Sequence, residues 1–299
     1  MYLIVKGLQN TWRLKKFIAI LWVINFFVAG LFIMPYWGNF RDFFSNRMVT
    51  DILADQNIYT YYAEFYYRMD SAVSSSLVWI QLGNLIHYLV FIFLTGGFIS
   101  VLVVRGEIYL KKFWKDCLKF GPKMLIIGLI TPVLLGFLLL IGFLMGLPFT
   151  FLLPDYFVED QYFYFLIFMS VLIFILILGG LLVIDLVKIK IIERKDQNMG
   201  RLLLEVLSLF LQYPLRFFGH YLVIFLVWLT FVAAYWLLQH HLSDRSAGGM
   251  LIELLLLQAA ILGQIWIRFS RYDILLRLLQ DIGCESDLKK TTQVSQEKM

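Results

Sequence analysis

The sequence predicts an all-α, polytopic integral membrane protein: six transmembrane helices arranged as three hairpins, with amphipathic interfacial helices on the cytoplasmic side. Three observations carry that prediction. The chain is 61% hydrophobic and 16% charged, with a mean hydropathy of +0.78, against roughly 25% charged residues in an ordinary soluble domain. It holds six apolar runs, each long enough to cross about 30 Å of hydrocarbon as a helix. The runs are rich in Leu, Ile and Phe and lack the alternation of barrel strands, and a helix satisfies its own backbone polar groups inside hydrocarbon.

The spans are expected at about 17–35, 77–104, 124–149, 162–187, 217–239 and 250–269. Ahead of the first, residues 3–14 set Ile4, Leu8 and Trp12 opposite Lys6 and Arg13, the pattern of an interfacial helix. The first span follows basic residues, but only Ala29 and Gly30 offer a small-residue pair near it, so it reads as a retained span rather than a cleaved signal. The 41-residue outer loop, 36–76, is long enough to form short capping helices and carries Tyr59, Tyr61, Tyr62, Phe65, Tyr66 and Tyr67, rings that suit a membrane interface.

In 108–120, Leu110, Phe113, Trp114, Cys117 and Leu118 fall on one helical side and Lys111, Lys112, Lys115 and Lys119 on the other. Those lysines are the candidate anionic-lipid contacts, worth about 1 kcal/mol each beside acidic headgroups; they serve topology equally well. The segments FGPKM (120–124) and QYPLR (212–216) place a proline where the next span starts, suiting a first helical turn whose amide lacks a partner anyway. In the third span Pro132 predicts a kink, and Gly142 with Gly146 forms a G-x-x-x-G pair that permits close helix approach. Leu203, Val206, Leu207 and Phe210, and then Leu275, Leu278, Leu279 and Ile282, repeat the interfacial pattern. Residues 1–284 are expected to form a single six-span domain, and 285–299, with little apolar content, a disordered cytoplasmic tail. Cys117 and Cys284 make no metal-type spacing with each other or with histidine, and no disulfide is expected.

Charge sets the orientation. Of 26 Lys and Arg residues, 22 fall before the first span, in 105–123, in 188–216 or from Arg268 onward. Basic residues are retained on the cytoplasmic face, so both termini are expected inside and three loops outside a bacterial inner membrane. The outward loops carry Asp42, Asp51, Asp55, Glu64, Asp70, Asp155, Glu159, Asp160 and Asp244. The isoelectric point near 9.0 therefore reports topology, and no nucleic-acid partner is expected.

An internal repeat is also visible. GGFISVLVVRGE from Gly96, GGLLVIDLVKIK from Gly179 and, more weakly, LGQIWIRFSRYD place Gly97, Gly180 and Gly263 at intervals of 83, with Arg105, Lys188 and Arg271 each eight residues further on. Three parallel hairpins are the simplest account.

FLTGGFISVL followed by FWKDCLKFGPKMLIIGLI, then GGLLVIDLVKIKII followed by LQYPLRFFGHYLV, resembles uncharacterised bacterial six-span membrane proteins that are distantly similar to the membrane domain of glycerophosphodiester phosphodiesterases. In those proteins a glycine-rich inner third of the fourth span precedes an Asp, two small or apolar residues and a base. The match here is Asp185, Leu186, Val187 and Lys188, and the pattern covers most of 85–230. The resemblance implies an accessory membrane module.

Two sets of polar residues are candidates for function. Asp185 falls about 34 Å along the fourth span at 1.5 Å per residue, at the inner hydrocarbon boundary. It is expected to pair with Lys188 at i+3 or with Arg268 or Arg105 of another hairpin, stapling hairpins together; ionisable groups at membrane depth also serve transport. His87, with Gln81, Asn84 and Tyr88, lies within roughly 120° of one helix face. With Asn25, Thr131, Ser170 and Gln258 it outlines a polar path, or else a set of interhelical hydrogen bonds. Glu253, one turn inside the last span, either snorkels to water or meets Arg245. His240 and Asp244 have an i, i+4 relation beside His241, but with Glu159 or Asp160 they make no identifiable tetrahedral set, so neither metal nor cofactor is expected. Phosphate loops, serine elbows and zinc-protease helices are missing from the sequence.

The expected function is a non-enzymatic accessory or scaffold module binding lipid, another membrane protein or a second copy of itself. The alternative is a small-solute or lipid transporter using the His87 face. A reporter active only outside the cytosol, fused near Lys112, should give no signal; a bright fusion there overturns the orientation.

Overall fold

A computed structural model describes residues 2–45, 70–104, 110–152, 159–194, 198–242 and 247–296, and among these every regular element is a helix. In chain order they are α1 (Tyr2–Trp12), α2 (Lys15–Ser45), α3 (Asp70–Val104), α4 (Leu110–Leu152), α5 (Glu159–Glu193), α6 (Met199–Gln212), α7 (Pro214–Leu242) and α8 (Ala247–Gln296). Six of them, α2, α3, α4, α5, α7 and α8, are long and apolar enough to cross a membrane. The tyrosine-rich stretch 59–67, Arg105, Asp155, Asp244 and Arg245 lie outside the described residues.

The helices run past the expected spans wherever the sequence holds no breaker. The lysine-rich segment 110–120 is not a separate helix but the first three turns of α4, so Pro122 sits inside that helix rather than in its first turn. Pro214 behaves as expected: Tyr213 ends α6, its amide donating to Leu209 O at 3.2 Å, and Pro214 opens α7. Asn198 caps the other end of α6, its Oδ1 accepting from the Gly200 amide at 3.1 Å. The tail also departs from expectation, because α8 continues through 285–296. Extending an existing helix needs no new nucleus, and no proline or glycine follows Gly283 to stop it.

The chain divides into two compact units. One comprises residues 19–92, the other residues 1–18 with 93–299. In the smaller unit α2 meets α3 where the Phe32 ring fills the space a side chain at Gly83 would need.

The larger unit is built from two antiparallel pairs, α4 with α5 and α7 with α8, together with α1 and α6. Gly142 and Gly146 sit against Ile173 and Met169 of α5, so the G-x-x-x-G pair does bring two helices together. Gly180 likewise faces Leu138, Gly263 faces Phe231, and Gly97 faces Cys117 and the Phe113 carbonyl. At Gly97 a side chain would collide with the backbone of the neighbouring helix.

Burial in this unit is uneven. Phe98, Ile99, Leu102, Leu182, Leu186, Ile189, Phe269, Ile274, Leu275 and Leu278 are all shielded, and Phe98 stacks on Phe269 with centroids 3.5 Å apart. By contrast Val133, Phe137, Leu140, Phe143, Tyr164, Phe168, Trp236 and Leu255, toward the other ends of the same helices, are exposed. The packed end also collects the charge, since Lys123, Lys188, Lys190, Arg216, Arg268, Arg271 and Arg277 lie on it. No Lys or Arg occurs between Met124 and Val187 or between Phe217 and Leu242. Long apolar faces at one end and a sealed, basic core at the other follow from the solvent each meets, since lipid satisfies an exposed leucine and cannot satisfy a charge.

Candidate functional site

The polar chemistry of the larger unit centres on two buried carboxylates on opposite sides of α8. Asp185, on α5 four residues before Ile189, is 2% exposed. Its Oδ1 receives Lys188 Nζ at 3.1 Å, one turn along the same helix. Its Oδ2 receives an Arg271 guanidinium nitrogen from α8 at 2.9 Å and the Tyr221 hydroxyl from α7 at 3.0 Å. One carboxylate thus draws three helices to a point. Arg271 is held between two rings, 5.3 Å from the Tyr221 centroid and 5.6 Å from that of Tyr272, and Lys188 lies 5.9 Å over Tyr272, contacts favourable to a cation on an aromatic face.

The expected pairing of Asp185 with Lys188 is therefore present, but the partner supplied by the last hairpin is Arg271, one turn beyond the Arg268 that was expected. Arg268 is half-buried and adds a further positive charge near Lys188.

The second carboxylate, Asp273, is fully buried on α8. It accepts Arg277 Nε at 2.7 Å and Asn10 Nδ2 of α1 at 3.0 Å. At 100° per residue, positions 271 and 273 are about 200° apart around the helix, so α8 is clamped to α5 and α7 on one side and to α1 on the other. The α1 contact is close. Ile274 occupies the space a side chain at Gly7 would take, Thr11 returns its hydroxyl to the Gly7 carbonyl at 2.9 Å, and Trp266 Nε1 donates to Leu8 O at 3.3 Å. Ile4, Ile224, Ile267 and Ile274 form the apolar cluster behind these bonds. Consequently α1 buries Ile4, Gly7 and Thr11, while Trp12, on the apolar face expected to meet the membrane interface, is exposed. Beside it Val5, Leu8, Gln9, Trp12 and Trp266 line an open groove of about 300 Å³.

A third contact joins the end of α3 to the start of α4, where Ser100 Oγ donates to Asp116 at 2.7 Å. The candidate lipid lysines Lys111, Lys112, Lys115 and Lys119 are all exposed. Their apolar companions divide: Phe113, Cys117 and Phe120 pack inward, whereas Leu110, Trp114 and Leu118 are exposed beside the lysines.

The members of the expected polar path fall in two units. In the smaller one, Gln81 and Asn84 are exposed, Asn25 is partly buried, and His87 lies against Phe91 with centroids 6.0 Å apart and its Nε2 buried. In the larger one, Thr131 and Ser170 bond to carbonyls of their own helices, Ile127 at 2.7 Å and Leu166 at 2.8 Å. Glu253 is partly buried. His240 stacks on Trp236, and among the described residues no group of three His, Cys, Asp or Glu side chains comes within reach of one metal ion.

Arg271, Tyr221, Tyr272, Asp273, Asn10 and Arg277 are the functional candidates that sequence reasoning passed over. Three carried a signal: Arg271 stands eight residues after Gly263 as Lys188 does after Gly180, and Asp273 with Arg277 has i, i+4 spacing. Compared with the sequence profiles of protein families, with curated proteins and with solved structures, the chain matches none.

If Asp273 is what docks α1, then Asp273→Ala leaves the six long helices intact and loosens residues 2–12. Hydrogen exchange in that segment should rise about tenfold or more, the equivalent of about 1.4 kcal/mol; unchanged protection of α1 contradicts the assignment.

Proposed function

We propose that this chain is a non-enzymatic accessory or scaffold module of a bacterial inner membrane, with both termini cytoplasmic, that binds lipid or a membrane partner. The observation that carries this reading is the use to which the buried polar groups are put. Asp185 and Asp273 close on side chains of neighbouring helices, so they hold a scaffold together. Chemistry needs a convergent acid, base or nucleophile facing a space for substrate.

Lipid or partner binding is supported by the surfaces left outside that scaffold. Lys111, Lys112, Lys115 and Lys119 stand beside exposed Trp114 and Leu118, the composition of a segment seated at an acidic leaflet. The orientation is supported by the collection of basic residues at the packed end. The threefold repeat gains support from one convergence: Lys188 and Arg271, equivalent in its register, meet on the same carboxylate. The accessory role is also what the resemblance to the membrane domain of glycerophosphodiester phosphodiesterases implies.

The transporter reading is favoured by the exposure of Gln81 and Asn84 on the helix that carries His87. Two measurements on the full chain separate the readings. Native mass spectrometry after mild detergent extraction should show phospholipid or a second polypeptide retained on the chain, and a membrane-impermeant maleimide should fail to reach Asn84→Cys. A bare monomer with Asn84→Cys labelled rapidly from water overturns the scaffold in favour of a wet path.

A further inference from the structure

We propose that Lys188 and Arg271 form a binding site for the phosphate of an anionic phospholipid headgroup, with the Tyr272 hydroxyl as a third donor; this rests on the lipid-binding reading above. The first argument is charge. The locus holds two cations and one carboxylate, with Lys188 10% and Asp185 3% exposed at the side chain and Arg271 25% exposed. An uncompensated charge out of water is costly. The neighbouring carboxylates of the larger unit are engaged elsewhere: Asp116 with Ser100, Asp273 with Arg277 and Asn10, Glu193 with Lys190 and Glu205 with Arg194. Lys188 and Arg271 thus share one carboxylate, Asp185.

The second argument is unspent hydrogen-bonding capacity. An ammonium carries three donors and a guanidinium five. Asp185 takes one bond from Lys188 and one from Arg271. Arg271 Nε is buried without a hydrogen-bond partner, and the fully buried Tyr272 hydroxyl, which faces both cations, makes no bond of good geometry. Buried polar atoms on two adjacent residues left without a partner of good geometry mark a place for a further ligand. Phosphate matches this set, because it offers several charged oxygens and a guanidinium fixed between two rings presents its fork to them without further ordering.

The third argument is depth. Lys188 stands one residue past the apolar stretch 162–187, and Arg271 two residues past 250–269, near the level at which hydrocarbon gives way to headgroups. Arg271 provides the partly open side. In this account Asp185 orients the two bases and lowers the net charge, leaving room for one further anion.

The test uses the full chain in nanodiscs of phosphatidylcholine containing phosphatidylglycerol, released into mild detergent, with retained lipid counted by native mass spectrometry. The wild-type chain should hold one phosphatidylglycerol in preference to phosphatidylcholine. Lys188→Gln should lower that retention about tenfold, the loss of one charge-assisted contact. Lys188→Arg should keep it. Should Lys188→Gln not fold, Tyr272→Phe, which removes a donor and no charge, should still lower retention several-fold. Retention by a folded Lys188→Gln, or by Tyr272→Phe, equal to that of the wild type overturns the site while lipid binding stands. No phosphatidylglycerol on the wild type overturns both. Inorganic phosphate forms a separate arm: a rise in the melting midpoint with phosphate that Lys188→Gln abolishes, without retained lipid, supports the phosphate site and assigns it to a soluble ligand.

Discussion

One buried carboxylate organises the packed end of this protein. Asp185 lies where an isolated charge would cost several kcal/mol to desolvate, so the fold must bring it partners. It brings Lys188 from one turn along α5, Arg271 from α8 and Tyr221 from α7. Satisfying it fixes the rotation of three helices about their own axes, because a residue of error moves a side chain by about 100°. Such an arrangement adds little net stability compared with a well-packed apolar core. Its effect is to make wrong registers expensive.

The same logic is used a second time on the other side of α8. Asp273 has Arg277 on its own helix and Asn10 on α1, and the close seating of Gly7 on Ile274 makes that bond possible. A short helix of 11 residues has little stability of its own. What keeps α1 in place is this polar bond together with the burial of Ile4 against Ile224, Ile267 and Ile274. Around the two clamps, Phe98 on Phe269 and the shielded leucines and isoleucines exclude water, which strengthens each ion pair. Farther along the helices no comparable polar lock is needed, since the exposed residues there are apolar and suited to lipid.

Much of this was legible in the sequence, and the reasons for the remainder are local. The long helices follow from apolar length, and Asp185 with Lys188 from a spacing of three. Arg271 was harder to assign than Arg268, because successive basic positions on a helix differ by less than the uncertainty in how two helices are offset. The sequence marks α1 as an interfacial helix through Ile4, Leu8 and Trp12, but says nothing of its contact with α8, which is built on Ile4 and two small residues that a count of apolar side chains does not pick out. Gly7 and Thr11 let the helix approach closely, and they occupy a narrower arc with Ile4 than Leu8 and Trp12 do. Pro122 was placed at a helix start, yet the preceding leucine, lysine and aromatic residues continue the helix back to Leu110. Thr131 and Ser170, grouped by depth into a path, bond to their own helices, a choice open to any serine or threonine in a helix.

The claim that Asp185 and Arg271 join two helices is best measured by a double-mutant cycle on melting in detergent, using Asp185→Asn, Arg271→Gln and the pair. The account predicts a coupling of about 1.5 kcal/mol or more, with the double variant less damaged than the sum of the single ones. Additivity within about 0.3 kcal/mol would mean that the carboxylate and the guanidinium stand side by side without holding the helices together.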